Sequence, residues 1–259
     1  MDHQVPGARV ERGRVGQGGQ ARAGAVDVAA TRLLDVTLAV ILAVISLPVA
    51  VMVAVAVKLD SPGPVFFRCP RIGSGGRPFG MLKFRKMYDG ARGPGLTATE
   101  DDRFTRVGRV LARSKLDELP QLWNVLRGEM SLVGPRPEDP SFVATRPEDF
   151  ALVLSVRPGI TGLSQLAFAN ESAILDPDDR VNDYLDRILP QKMGLDVLYA
   201  CRRSLAMDVR ILSWTVVAVV LRRDVAVHRG SGRTTLRRRP EPGVAPLGSP
   251  APARVHARQ

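Results

Sequence analysis

The sequence predicts an α+β fold, a mostly helical and compact domain behind an N-terminal apolar helix that a proline interrupts. Three observations predict it. Residues 36–57 form a run of 22 without a charged side chain. Turn formers mixed with short strand-like runs follow, and from Phe104 onward the apolar residues recur at helical spacing. The chain of 259 residues, 45% of them hydrophobic, is long enough for one packed domain with tails to spare.

In chain order, residues 1–30 are rich in Gly, Arg, Ala and Gln without apolar periodicity and read as a flexible leader. The apolar run begins too late, and lacks the small-residue exit, for a cleaved signal peptide. Residues 31–58 read as a membrane helix. At about 1.5 Å per residue the charge-free run is long enough to cross a bilayer. Pro48 removes a backbone donor and divides it into arms of roughly twelve and nine residues, each short of a span. Arg22 and Arg32 precede the run while Lys58, Arg68, Arg71 and Arg77 follow it, so the charge rule finds no side to send outward. A re-entrant helix that bends at Pro48 satisfies both observations, and a spanning helix with a tolerated proline satisfies the residues equally.

Residues 59–222 read as the folded domain. Ser61-Pro62-Gly63-Pro64, Val65-Phe66-Phe67, the turn Gly73-Ser74-Gly75-Gly76 and Phe79-Gly80-Met81-Leu82-Lys83-Phe84 predict a small hairpin next to the membrane. Val107, Val110 and Leu111, then Leu119, Leu122, Val125 and Leu126, mark helices that end at Gly128, and further helices are expected over 180–190 and 205–221. The last is interrupted by Asp208 and Arg210 and reads as a core or interfacial helix. Residues 223–259 read as a disordered basic tail. Of the formal net charge of +11, about +7 lies from Arg222 onward, where nine Arg face only Asp224 and Glu241.

That placement weighs against nucleic-acid binding, because the basic tail carries no aromatic side chain for base stacking. Arg237-Arg238-Arg239 suits either anionic lipid or idle solvation. Cys69 and Cys201 have neither zinc-site nor disulfide spacing. His3, His228 and His256 all lie in the terminal segments, so the chemistry rests on carboxylates, cations or a hard metal.

Asp117 and Glu118, in Ser114-Lys115-Leu116-Asp117-Glu118-Leu119-Pro120-Gln121, are adjacent carboxylates that read as opening a helix whose early proline is tolerated in the first turn. Free amides there would favour an anion and draw phosphate, while an ordinary cap explains the same residues. Gly134-Pro135-Arg136-Pro137 fixes the backbone around one guanidinium suited to forked recognition of phosphate. Arg157-Pro158-Gly159-Ile160-Thr161-Gly162 pairs Arg with turn formers once more.

Together these segments resemble the bacterial sugar transferase family, the small monotopic phosphoglycosyl transferases that use polyprenyl phosphate as acceptor. The resemblance runs from about Thr31 to Arg222 and rests on the proline-containing apolar run, Gly63-Pro64-Val65-Phe66-Phe67, Lys83-Phe84-Arg85-Lys86-Met87, Leu116-Asp117-Glu118-Leu119-Pro120-Gln121, Gly134-Pro135-Arg136-Pro137 and Pro158-Gly159-Ile160-Thr161-Gly162. It implies a re-entrant helix in the inner membrane, a catalytic domain on the cytoplasmic face, and transfer of a sugar-1-phosphate from a UDP-sugar to undecaprenyl phosphate in exopolysaccharide or other glycan assembly. It also implies Asp117 as nucleophile, UMP as leaving group, Mg²⁺ on Glu118, and phosphate or substrate contacts from Lys83, Arg85, Arg113, Arg136, Arg157 and Asp196. The expected partners are the two substrates and membrane lipids, with self-association into homo-oligomers left open. Ala112 and Ala169 stand where the family usually carries basic residues, and Leu47 replaces the frequent Ser before the proline. Those departures motivate an alternative, a catalytically weak membrane scaffold for glycan assembly.

Overall fold

The computed structural model describes residues 20–93, 101–169, 171, 174–176, 179–221 and 223–236, with side chains from 28 onward. Its longest element is α1, Gln20–Asp60, a 41-residue helix that runs through Pro48 without interruption. One expectation changes here. The helix starts eleven residues inside the segment read as a leader, of which residues 1–19 lie outside the described residues. The helix continues through Pro48, as both readings of the run allow, because proline deletes one hydrogen bond while the turns on either side keep theirs.

The two arms of α1 are fastened to the domain differently. On the N-terminal arm Arg32 donates to the Val125 and Leu126 carbonyls at 2.7 and 2.9 Å, and Asp35 accepts from Ser131 Oγ at 2.7 Å and the Leu132 amide at 2.9 Å. On the C-terminal arm Val53 and Val57 pack with Phe84 and Leu111. Between them Ile41, Leu42, Val44, Ile45, Leu47, Val51 and Met52 are exposed. Residues 28–60 form the one helix among the described residues long and apolar enough to cross a membrane, and only 11% of its most apolar window is buried, unlike a soluble core helix.

Beyond α1 the expected hairpin forms, with β1 (Phe66–Ile72) antiparallel to β2 (Pro78–Phe84) and Phe66 opposite Phe84. Two short helices follow, α2 (Arg106–Ser114), capped by Thr105, and α3 (Gln121–Leu126). Asn124 of α3 is buried against β2, donating to the Gly80 carbonyl and accepting from the Leu82 amide, both at 2.9 Å. Next, β3 (Ser131–Val133) pairs in parallel with β4 (Gly159–Thr161), enclosing α4 (Pro140–Thr145) and α5 (Pro147–Phe150). The short α6 (Leu163–Ala167) leads to α7 (Arg180–Asp183), a π-helical turn over Tyr184–Ile188, α8 (Leu189–Arg202) and α9 (Leu205–Val219). The helices expected over 180–190 and 205–221 are thus present, the first extended to Arg202.

The boundary at residue 222 needs correction. β5 (Val225–Val227) and β6 (Thr234–Leu236) form an antiparallel hairpin whose Val225 is buried in the main core with Leu163, Leu166 and Ile211. Three-residue strands of this kind leave too little alternation to stand out from a basic tail. Arg237-Arg238-Arg239 lies outside the described residues.

Candidate active site

The site is built on a reversal. Helix α2 ends at Ser114, and Lys115 takes a left-handed conformation with φ 61°, the only non-glycine with positive φ among the described residues. That conformation is uncommon for a side chain with a Cβ. It turns the chain into a 3-10 segment, Leu116–Glu118, before α3 begins behind Pro120. Asp117 and Glu118 therefore stand one turn ahead of the helix they were expected to open. The charges that meet them come from side chains of the hairpin and of the Arg136 loop, not from helix-terminal amides.

Lys83, on β2, donates to Glu118 Oε1 at 2.9 Å, and Arg136 donates to the same oxygen at 3.0 Å. Burial alone would raise the Glu118 carboxyl, but Arg136 and Lys83 outweigh it and hold the group far below the usual carboxylate range. Arg136 is raised in turn, chiefly by Glu118. Burial lowers the Lys83 ammonium, with Glu118 opposing. Asp117 is 2% exposed and faces the Lys86 ammonium at 3.3 Å. The Lys86 side chain is 24% exposed, so Lys86 is the member of this pair that reaches solvent.

Backbone contacts fix these groups. The Lys86 carbonyl accepts from the Thr105 amide at 3.1 Å, and α2 passes so close over it that a Cβ on Gly108 would collide with that oxygen. The Arg136 loop hangs from the β3–β4 pair. Gly134 donates to the Thr161 carbonyl at 2.9 Å, Gly159 donates to the Pro135 carbonyl at 2.8 Å, and a Cβ on either glycine would strike the opposing backbone.

Of the residues singled out in the sequence, Asp117, Glu118, Lys83 and Arg136 come together. Arg85 does not join them. It is 5% exposed and donates to the Ser61 carbonyl at 2.8 Å, with Pro62 and Val57 carbonyls as further partners, so it clamps the end of α1. Strand alternation predicts that Lys83 and Arg85 share a face, but β2 ends at Phe84 and the rule stops there. Arg113 is exposed on α2, and Arg157 is half-buried, its charge acting on Asp35 of α1. Asp196, in α8, is 4% exposed and accepts from Ser164 Oγ at 2.6 Å; burial pushes its carboxyl up to about 7. Lys86 is the member that sequence reasoning passed over. Its only signal was its place beside Lys83 and Arg85 in one basic run.

Among the described residues no group of three or more His, Cys, Asp or Glu gathers as a cage for a metal. The adjacent carboxylates of Asp117 and Glu118 do fit Mg²⁺, which usually takes one or two protein carboxylates and fills its shell with water and substrate phosphate. Both cations reach Glu118 through Oε1.

The family model of the bacterial sugar transferases matches residues 26–222. Over 194 residues the chain is 39% identical to a UDP-glucose:undecaprenyl-phosphate glucose-1-phosphate transferase of Caulobacter vibrioides, covering 73% of this chain and 69% of that protein. A protein of the same name from Xanthomonas campestris pv. campestris is 40% identical over 215 residues, 77% of this chain and 41% of its own length. A UDP-N-acetylgalactosamine-undecaprenyl-phosphate N-acetylgalactosaminephosphotransferase of Aeromonas hydrophila is 38% identical over 194 residues, 73% of this chain and 43% of its own. The chain thus spans less than half the length of the latter two relatives.

Proposed function

We propose that this chain, which belongs to the bacterial sugar transferase family and is a transferase, moves a sugar-1-phosphate from a UDP-sugar onto undecaprenyl phosphate at the cytoplasmic face of the inner membrane. The observation that carries the reading is the pairing of a covered carboxylate, Asp117, with a ring of hairpin and loop cations at 2.9–3.3 Å from the two acids. A diphosphate entering beside Lys86 and Arg136 exchanges carboxylate partners for phosphate ones, which suits Arg136 for forked contact and Lys86 as a point charge.

In this reading an Asp117 carboxylate oxygen forms a bond to the sugar-bearing phosphorus, and the bond from that phosphorus to the UMP oxygen breaks. UMP leaves with the electron pair, and the sugar phosphate stays on Asp117 as an acyl phosphate. An oxygen of undecaprenyl phosphate then takes the phosphorus and restores the carboxylate. Such a two-step route suits a weakly basic nucleophile whose acyl phosphate is itself reactive. Glu118 would hold Mg²⁺, which neutralises diphosphate charge when bound. Lys86 and Lys83 keep the two carboxylates oriented.

The topology that serves this chemistry is a re-entrant α1. Both of its arms contact the same domain while the exposed apolar side chains lie between them around Pro48, so both ends belong on one side of the bilayer. That arrangement keeps Asp117 at headgroup depth, where a lipid phosphate reaches. The relatives' names differ in the sugar, so a screen of UDP-sugars for UMP release sets the donor.

The test is a quenched turnover with UDP-sugar, Mg²⁺ and undecaprenyl phosphate, followed by mass spectrometry. A sugar-phosphate adduct on Asp117 is expected. Product accumulating with no adduct there, or Asp117→Asn turning over at the wild-type rate, overturns the reading.

A further inference from the structure

At the far end of the Arg136 loop lies a second charged cluster that the transfer chemistry does not use. At its centre is Lys192, from α8, only 3% exposed. Its ammonium lies 3.0 Å from Glu171 Oε2, 2.9 Å from the Tyr184 hydroxyl and 3.3 Å from Glu138 Oε1. The ammonium donates hydrogen bonds to Glu171 and Tyr184 and forms an ion pair with Glu138. The Tyr184 hydroxyl in turn donates to Glu138 Oε1 at 2.7 Å. Glu138 is two residues beyond Arg136 in the same loop, and its own carbonyl accepts from the Ile72 amide at 3.2 Å.

We propose that Lys192 is a positioning residue for Arg136, acting through Glu138 and Glu171; the inference rests on reading Arg136 as the phosphate clamp. Two facts carry it. The Gly134–Glu138 segment is pinned at its start by the β3–β4 backbone bonds and at its end by Lys192 and Tyr184, so the guanidinium between the pins has little freedom. The charges also alternate, with Lys83 and Arg136 on Glu118, with Glu138 and Glu171 paired to Lys192, and with the charge of both these acids acting on Arg136. Removing Lys192 leaves the mostly covered Glu138 carboxylate, with Arg71 and Arg136 as the remaining cations that act on it, and strips the partly exposed Glu171 of its ammonium. An uncompensated buried charge is costly, and the inexpensive relief is for Arg136 to turn inward, away from Glu118 and from the diphosphate.

Binding of UDP with Mg²⁺ to the full-length protein in detergent, measured by calorimetry beside thermal melts, separates this role from simple packing. Lys192→Met is expected to weaken UDP binding about tenfold. Adding Glu171→Gln removes the surplus negative charge and is expected to restore binding to within about threefold, while Lys192→Arg stays within that range. Wild-type affinity in Lys192→Met overturns the inference. So does a failure of Glu171→Gln to restore binding in a double variant that melts like the wild type. Should Lys192→Met not fold, Glu138→Gln cuts the link between Lys192 and the loop while keeping its shape, and UDP binding at full strength there overturns it equally. No UDP binding by the wild-type protein would instead sink the proposed donor, and this inference with it.

Discussion

Two charge clusters adjoin the Arg136 loop, a front one at its guanidinium and a rear one at its far end, and they are made of the same kinds of groups. The front one holds Asp117 and Glu118 with Lys83, Lys86 and Arg136; the rear one holds Glu138 and Glu171 with Lys192 and Tyr184. What separates them is access. In front the side chains of Lys86 and Arg136 are 24% and 34% exposed, whereas that of Lys192 is 4% exposed. A cation that reaches solvent is able to exchange its carboxylate for an incoming phosphate, and one enclosed by three oxygens is not. Charge pairing by itself therefore does not mark a site. The proposed reaction is assigned to the front cluster because its cations are the more exposed ones.

The comparison breaks most sharply at Asp117. Asp117→Asn is expected to lower UMP release by about three orders of magnitude or more, with an unchanged melt, because an amide oxygen is a poor nucleophile toward phosphorus. Glu118→Gln is expected to cost about a hundredfold and to raise the Mg²⁺ needed for half-maximal rate, since Lys83 and Arg136 then lose their common anion. A Mg²⁺ titration of initial rates reads both effects.

The next expected effect lies on the rear side and is thermodynamic. Burial raises Asp196 to about 7, so over about pH 4–7 the native state keeps a proton that the unfolded chain releases. Its contribution to stability is whole below that window, falls as pH rises through it and is flat above. Asp196→Asn, which keeps an acceptor for Ser164, should gain on the wild type by ~1–3 kcal/mol between pH 5 and pH 8 in denaturant melts. A constant difference across that range would place the Asp196 carboxylate in a solvated position. The smallest expected effect is at Arg113. Exposed on α2 and outside both clusters, it should change UMP release by less than about twofold when replaced by Ala, and a tenfold loss would bring it into the front cluster.

Much of this was legible beforehand because local rules governed it. The Gly73–Gly76 turn between apolar strands and the apolar spacing over 205–219 each act within a few residues. Arg85 was misread for a complementary reason. Its partners are carbonyls 23–28 positions earlier, at the end of α1, and no periodicity reports them. The β5–β6 hairpin escaped notice because its burial is supplied by α6 and α9, not by its own pattern.

The sequence by itself determined the apolar helix with its central proline, the hairpin after it, and the two adjacent carboxylates with the Gly-Pro-Arg-Pro loop, since each is written in contiguous residues. Only the tertiary structure decided that Lys86 meets Asp117, that Lys83 and Arg136 converge on one oxygen of Glu118, and that Lys192 pairs with Glu138. Those pairings join residues from 18 to 54 positions apart, and packing, through the close glycine contacts and the left-handed turn at Lys115, brings them within hydrogen-bonding reach.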